Sequence, residues 1–531
     1  MVSAGQASGA RILIFPFMFL IYATLASASS AYSGDGSRYF PLDHPVYDYL
    51  YRLQERGRLT RLNPSLRPYT RLEVLEAVRE QSLDGLRQVE RDWLERIRAA
   101  CEFEINAASG PDSAQFSVIT RLEAMGRLAN IRPGRSRSSV GAGFGGRFGH
   151  LVFDSRFLRA PHLMQLEDTT AHRDPGVQAP LEEGLIRPME GYLKGDFRLF
   201  GGAFSTEFFL GRLARNWSPT LNHSLILGSD AQSFDQLAFC LRSRHLTFSH
   251  LVASLDGMSY RNASDGSFVR AKRFFTAHRL DIRVRDHLRF GITETTVYGG
   301  QNRGFDLALA NPFTSYRLVA IQNKRDYANN TFVSLDGFYN HKERLTFFGQ
   351  ILFDDLLRDD KIQDRWALDL GLNLRDFPGL GPSTAGVRAI YVSSFAYNTF
   401  QPYERYLFNG RPLGAPLGND YWKVYGFLRF FTTSGLDLTA HFARIERGNQ
   451  RIASPVDQLL DSAGLDFPTP VVERRFEAGL ALRWQILEQA HLEAEGGIFK
   501  EENFNNQPGK NRCRGYASLY LAVYHDLIIS F

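Results

Sequence analysis

The sequence predicts an all-β transmembrane barrel of about 18 antiparallel strands behind a small N-terminal α-helical domain. Three observations carry that reading: an export signal at the start, period-two alternation through most of the chain, and a last strand ending on phenylalanine. Composition agrees. Of 531 residues, 13 % are aromatic, with Phe 42, Tyr 22 and Gly 46, an excess that points to extensive β-structure. Charged residues at 22 % and hydrophobic ones at 44 % fit neither a disordered tail nor a bundle of transmembrane helices.

The first element is the signal. Arg11 supplies a positive charge, and Ile12 to Leu25 form an apolar run too short for a comfortable span. Ala26-Ser27-Ala28 offers small residues at the positions that signal peptidase reads, so 1–28 is expected to be removed before Ser29. No cysteine follows the cleavage site, so no lipoprotein anchor is expected.

Residues 29–100 form the expected periplasmic helical domain. Pro45 starts a helix carrying Val46, Leu50 and Leu53, and Gly57 stops it. Thr70-x-x-Glu73 is a capping box opening a second helix through Leu72, Leu75 and Val78. A third runs from Leu86 to Ala100 with Val89, Trp93, Leu94 and Ile97. All three are too polar and too short to span a bilayer.

Residues 101–531 form the expected outer-membrane barrel, because after Cys101 the period becomes two. Leu368, Leu370, Leu372 and Leu374 alternate with Asp369, Gly371, Asn373 and Arg375. The same holds for Leu436 to Phe442, Phe476 to Trp484 and Leu492 to Ile498. Soluble sheets alternate too, so strand length decides. Thr276 to Arg285 and Leu288 to Tyr298 each match the roughly 9–11 residues that cross a bilayer at a tilt. At about 24 residues per strand with its loop share, the remaining chain closes about 18 strands.

The apolar parity then faces lipid: Leu280, Ile282, Val284, Leu288, Phe290 and Ile292 outward, against Arg279, Asp281, Arg283 and Arg289 inward. Glu294 falls on the lipid parity, which calls for a bulge or an interfacial position. The last strand, Ala517 to Phe531, keeps Leu519, Leu521, Val523, Leu527, Ile529 and Phe531 on one parity, the pattern of an outer-membrane assembly signal.

Lys+Arg 62 against Asp+Glu 57 gives +5, with eight Lys and 54 Arg. The Arg bias suits carboxylate, phosphate or acidic-sugar binding, or reflects a compositional habit of the source. No basic run exists, so nucleic acid is not an expected partner. Cys101, Cys240 and Cys513 lie too far apart for a disulfide framework or a zinc spacing.

Several blocks resemble the capsule-assembly (Wzi-type) outer-membrane family. They are Leu210-Gly-Arg-Leu-Ala-Arg-Asn-Trp-Ser-Pro219, Ser224 to Asp235, Ala277-His-Arg-Leu-Asp281, Glu294, Tyr298-Gly299, Asn311-Pro-Phe313 and Phe347 to Asp355. Ser218 replaces the glycine usual after the tryptophan. The resemblance implies an 18-stranded barrel with a helical periplasmic domain that binds capsular or exopolysaccharide and assists capsule assembly, a lectin-like anchor and not a hydrolase. Pro45 to Gly57 and Arg67 to Glu73 also resemble an S-layer-homology motif, implying contact with the cell wall. Packing of the helices against one another below the barrel accounts for the same residues.

Candidate ligand-binding residues are Arg212, Arg215 and Trp217, two guanidinium groups and a stacking platform within six positions, together with His278 and Arg279. Their structural alternatives are an aromatic girdle for Trp217 and luminal ion pairs for the others. No zinc-protease motif, Cys-x-x-Cys pair or Walker loop occurs, so no catalytic residue, metal or cofactor is expected. Gly141-x-Gly143-x-x-Gly146 lies in β pattern without a following helix, and Asp354-Asp355 point to opposite faces of a strand.

The leading expectation is therefore a polysaccharide-binding barrel in the bacterial outer membrane. Its other partners would be outer-membrane lipid and lipopolysaccharide, with peptidoglycan or another assembly protein at the helical domain. The alternative is a diffusion channel for anionic solutes through an Arg-rich lumen. The two differ in whether the lumen is open, and 158–190 and 300–330 are long enough to fill it.

Overall fold

The computed structural model describes residues 37–107, 112–127, 135–148, 150–159, 186–200, 203–221, 223–228, 232–261, 266–322, 329–355, 364–377, 379–433, 435–454, 465–487 and 490–530. The expected signal and most of 158–190 lie outside the described residues.

Three helices come first: α1 (Val46–Glu55), α2 (Arg71–Glu80) and α3 (Gln88–Ala107). Gly57 at φ 68° releases the chain from α1, a conformation that costs glycine little. Thr70 Oγ1 accepts the Glu73 N–H at 3.1 Å, so the capping box forms as read. The third helix continues past 100 to Ala107 before strands begin at Asp112. Leu50, Leu53, Val74, Val78, Trp93 and Ile97 pack together, and Phe431 of the barrel joins them.

The strands follow as β1 (Asp112–Arg127), β2 (Arg135–Phe148), β3 (Leu151–Arg159), β4 (Ile186–Leu199), β5 (Phe204–Leu213) and β6 (Phe234–Arg242). Next come β7 (Leu246–Ser254), β8 (Met258–Arg261), β9 (Phe268–Arg285), β10 (Leu288–Gly300), β11 (Asn329–His341), β12 (Leu345–Asp355), β13 (Arg365–Arg375) and β14 (Ser383–Val392). A small ribbon, β15 (Leu407–Phe408) and β16 (Arg411–Pro412), precedes β17 (Tyr421–Phe431), β18 (Leu436–Arg447), β19 (Glu473–Leu487), β20 (Ala490–Glu502) and β21 (Arg512–Ser530).

Apart from the ribbon, these form one 19-stranded antiparallel sheet that closes on itself, with Phe116 of β1 opposite Ile529 of β21. β7 and β8 pair end to end with the same strand, β9, and so make one stave. The barrel therefore has 18 staves, the expected number. Closure removes every free edge, which lets the backbone sit in hydrocarbon without unsatisfied polar groups.

Alternation sets the two faces as read. Ile282, Val284, Phe290 and Ile292 are exposed on the outer wall, while Arg279 and Asp281 are buried inside. Gly141, Gly143 and Gly146 lie within β2, paired on both sides, and not at a strand–helix turn. Glu294 departs from both explanations offered for it. A register shift at Leu288/Arg289 precedes it, yet it stays on the outward parity opposite His278, and residues 305–319 cover it.

Turns such as 243–245, 286–287 and 342–344 are short at one end of the barrel, and connections such as 214–233 and 393–420 are long at the other. The helical unit packs under the short-turn end. Arg52 pairs with Asp437 at 2.5 Å, Arg56 with Asp376 at 3.4 Å, and Thr346 Oγ1 donates to the Glu55 carbonyl at 3.0 Å.

Candidate functional site

Loops that fold into a barrel must satisfy their backbone groups there, and two long loops do so here. The 214–228 segment turns back on itself, the Trp217 N–H donating to the Leu227 carbonyl at 2.9 Å. Gln350, inward on β12, uses both ends of its carboxamide: Oε1 accepts the Leu225 N–H at 2.6 Å and Nε2 donates to the Trp217 carbonyl at 3.1 Å. Ser218 is fully buried, and its hydroxyl accepts the Thr220 N–H at 3.2 Å. It is not among the residues with positive φ, which explains why a side chain is tolerated where glycine is usual.

The 393–420 loop packs on the first. Tyr397 Oη donates to the Leu225 carbonyl at 2.7 Å and Tyr406 Oη to that of Ile226 at 2.5 Å. The Gly228 N–H donates to the Leu413 carbonyl at 2.9 Å. Leu225, Ile226, Leu227, Tyr397 and Tyr406 form one apolar cluster with the inward Phe275, Phe332 and Leu352. From below, the Arg67 guanidinium donates to the Ser218 and Thr220 carbonyls, each at 3.0 Å. Long loops, wall and helical unit thus form a continuous plug. It comes from 214–228 and 393–420; of the two segments expected to fill the lumen, the described part of 300–330 lies outside the wall.

The luminal arginines are largely committed to partners. Arg279 Nη2 donates to Asp281 and Asp336 at 2.5 and 2.8 Å, and its Nη1 to Thr293 at 3.0 Å. Arg388 grips Asp369 with two nitrogens and reaches Thr220 of the plug at 3.0 Å. His223 of the same loop lies 3.1 Å from Asp369, and burial, with Arg388 beside it, lowers its pKa and keeps it neutral. Arg273 holds the Tyr403, Arg405 and Leu407 carbonyls at 2.7–2.8 Å.

The five residues singled out from sequence do not converge. Arg212 is outward on β5, in a two-point ion pair with Asp235 on the neighbouring strand at 2.9 and 2.6 Å. Arg215 enters the lumen, donates to Gln236 at 2.5 Å and lies 5.1 Å over the Phe209 ring. Trp217 is 1 % exposed in the plug core, with neither ring face open to a sugar. His278 and Arg279 are neighbours on one strand and point to opposite sides of the wall. His278 pairs outward with Glu294 at 3.0 Å, and Arg279 faces inward as above.

Sequence reading missed the residues at the long-loop mouth of the barrel. Tyr260, inward at the top of β8, meets Tyr403 of the capping loop at 5.2 Å between rings. Asp420 knits the cap together, accepting from Ser394 Oγ at 2.9 Å and from the Gln450 and Thr469 N–H groups at 3.0 Å. Arg405 donates to the Ser454 carbonyl at 3.0 Å, binding the two loops. Glu404, buried beneath Tyr403, has its carboxyl pushed up to about 8 by burial. The available signal was the apolar residues Phe395, Tyr397, Tyr406 and Phe408 in a stretch without sustained period-two alternation.

Among the described residues one group could offer three metal-ligand atoms, His441, Glu477 and Glu495 on the luminal wall. Tyr516 Oη bridges the two carboxylates at 3.1 and 3.0 Å, and Arg475 lies 2.8 Å from Glu477, so these groups are satisfied as a wall network. At the opposite end a charged recess of about 780 Å³ opens between α2 and the barrel turns, lined by Glu73, Glu76, Arg242, Asp286 and Arg289.

Comparison with known proteins finds matches in fold and family. Residues 136–514 match the family described as capsule assembly protein Wzi. The Escherichia coli Wzi structure, described as a carbohydrate-binding β-barrel and an outer-membrane protein involved in group 1 capsule assembly, aligns with TM-score 0.58 at 15 % identity. That alignment covers 91 % of this chain and 99 % of the other. Pseudomonas aeruginosa OprD aligns with TM-score 0.43 at 11 % identity, over 80 % of this chain and 98 % of its own. No curated protein sequence matches the chain.

Proposed function

The chain belongs to the capsule assembly protein Wzi family, and from that premise we propose that it holds a surface polysaccharide, capsular or exopolysaccharide, at the outer mouth of a closed outer-membrane barrel. The observation that carries this reading is the continuous plug from Tyr406 through Trp217 to Arg67. A filled lumen leaves little for a diffusion channel to use, and its paired arginines leave few cations to draw anions inward. Recognition then falls to the outer cap, where Tyr260 and Tyr403 offer ring faces and the neighbouring arginines suit uronate or phosphate groups. The carbohydrate binding described for the E. coli relative supports the same reading.

In this reading residues 1–28 are the export signal, and the helical domain lies in the periplasm below a barrel that starts after it. Outer-membrane barrels turn tightly on the periplasmic side, and the helices pack under the tight turns. The charged recess beside α2 would receive peptidoglycan or another assembly protein, and lipid with lipopolysaccharide would surround the wall. Arg215 and Trp217 act here as supports of the plug, and Arg212, His278 and Arg279 as wall contacts. The chain binds and performs no catalysis.

The deciding experiment is single-channel recording of the mature protein in a planar bilayer, followed by glycan binding. Silence from inserted protein, with saturable binding of a capsular polysaccharide that Tyr403→Ala weakens, is the expected pair of results. Steady nanosiemens-scale steps would make the protein a porin and end this reading.

A further inference from the structure

Residues on the lipid parity of a barrel should be apolar, yet β9 and β10 place Thr276, His278, Glu294 and Thr296 there in adjacent register. A carboxylate and an imidazole facing acyl chains would each cost kilocalories. The 301–322 segment removes that cost by folding down over the outside of the wall. Glu294 Oε1 accepts Ser315 Oγ at 2.9 Å and the Arg317 N–H at 3.1 Å, while its other oxygen meets His278 Nε2 at 3.0 Å. Tyr316 lies 4.5 Å from the His278 ring. Asn311 Oδ1 accepts the Phe313 N–H at 3.0 Å, a turn that sends Phe313 to stack on Phe248 of β7 at 5.8 Å.

The other side of this strap has the opposite character. Phe305, Leu307, Phe313, Leu318 and Ile321 are 46–84 % exposed. The short helix α4 (Tyr316–Gln322) buries Tyr316 and Val319 against the wall and turns Leu318 and Ile321 away from it. In water such a face would be costly at about 25 cal/mol per Å². It borders Leu246, Phe290, Ile292 and Leu335, exposed residues of the barrel's own lipid belt.

We propose that residues 303–322 are a lipid-facing strap, which seals the His278–Glu294 pair on its inner side and buries Phe313, Leu318 and Ile321 among the acyl chains of the bilayer. The occupant is lipid because the apolar face continues an outer wall that lipid already covers. The inference rests on the barrel fold and not on the polysaccharide reading, so either can fail alone.

The test is nitroxide labelling at Leu318→Cys and at Ile321→Cys in a Cys513→Ser background, Cys101 and Cys240 being buried. Leu335→Cys and Leu370→Cys serve as lipid-facing references, and Gln507→Cys on an outer turn as the aqueous one. In reconstituted bilayers both strap labels should show an oxygen-to-nickel-chelate accessibility ratio several-fold above Gln507 and equal to the lipid references. A ratio like that of Gln507 would overturn the proposal. Labels shielded from both relaxants, or showing spin–spin broadening between copies, would also overturn it by naming a protein as the occupant.

Discussion

Arg67 and Asn216 exchange both backbone hydrogen bonds, Arg67 N to Asn216 O at 3.0 Å and Asn216 N to Arg67 O at 3.1 Å. One residue belongs to the N-terminal helical unit and the other to a loop that enters from the far end of the barrel. This two-bond bridge makes the plug a joint property of two units that sequence separates widely.

The first prediction concerns that joint. Arg67→Ala removes the guanidinium that holds the Ser218 and Thr220 carbonyls, both at buried residues. Charged hydrogen bonds of this kind are worth about 1.5–3 kcal/mol each, so the plug should loosen without the barrel unfolding. Single-channel recording should show flickering openings in the variant where the native protein is silent.

Trp217 and Tyr403 should separate stability from binding. Trp217→Ala empties a fully packed site and should cost about 3–5 kcal/mol, read as a lower denaturant midpoint. Tyr403→Ala removes a ring at the mouth and should leave the midpoint within about 1 kcal/mol while glycan affinity falls several-fold. If Trp217→Ala abolished binding in protein that stayed folded and plugged, the outer cap would be the wrong site.

What could be read in advance follows from the range of the interactions. Leu368 to Arg375 declares its two faces because parity is local to the strand, and Thr70-x-x-Glu73 declares a cap within four residues. The plug is a meeting of Leu225, Gln350 and Tyr397, far apart in sequence, and no period records it. Residue type let Trp217 and Arg215 be read as sugar contacts or as structural residues, and the burial of Trp217 is set by loops that arrive from elsewhere. Glu294 shows the division best: its outward parity was legible, and the strap that covers it was not.

One tie between the two units is a buried ion pair. Arg52 and Asp437 meet at 2.5 Å with side chains 5 % and 10 % exposed, and the guanidinium lies 4.7 Å over Phe431. Asp437→Ala leaves that cation buried without its partner and should cost about 3–5 kcal/mol at this interface. Glu80→Ala breaks an exposed pair with Arg61 and should cost under about 1 kcal/mol. Limited proteolysis of the helical unit, faster for Asp437→Ala and unchanged for Glu80→Ala, would verify the contrast.

Glu404 gives the outer cap a pH dependence. The residue is 3 % exposed, and its carboxyl is pushed by burial from 4.5 to about 8, while Arg303 and a hydrogen bond from Thr399 pull the other way. The folded state therefore keeps a proton that the unfolded chain has already released. The stability this contributes is full below about 4.5 and drains as pH rises through about 8. Glu404→Gln fixes the neutral form and should remove the slope. The variant should match the native protein in resistance of the 393–420 loop to protease at pH 4 and exceed it at pH 9, by on the order of several kcal/mol in opening free energy. Equal resistance of the two proteins at pH 9 would mean that burial leaves the Glu404 carboxyl near its ordinary value.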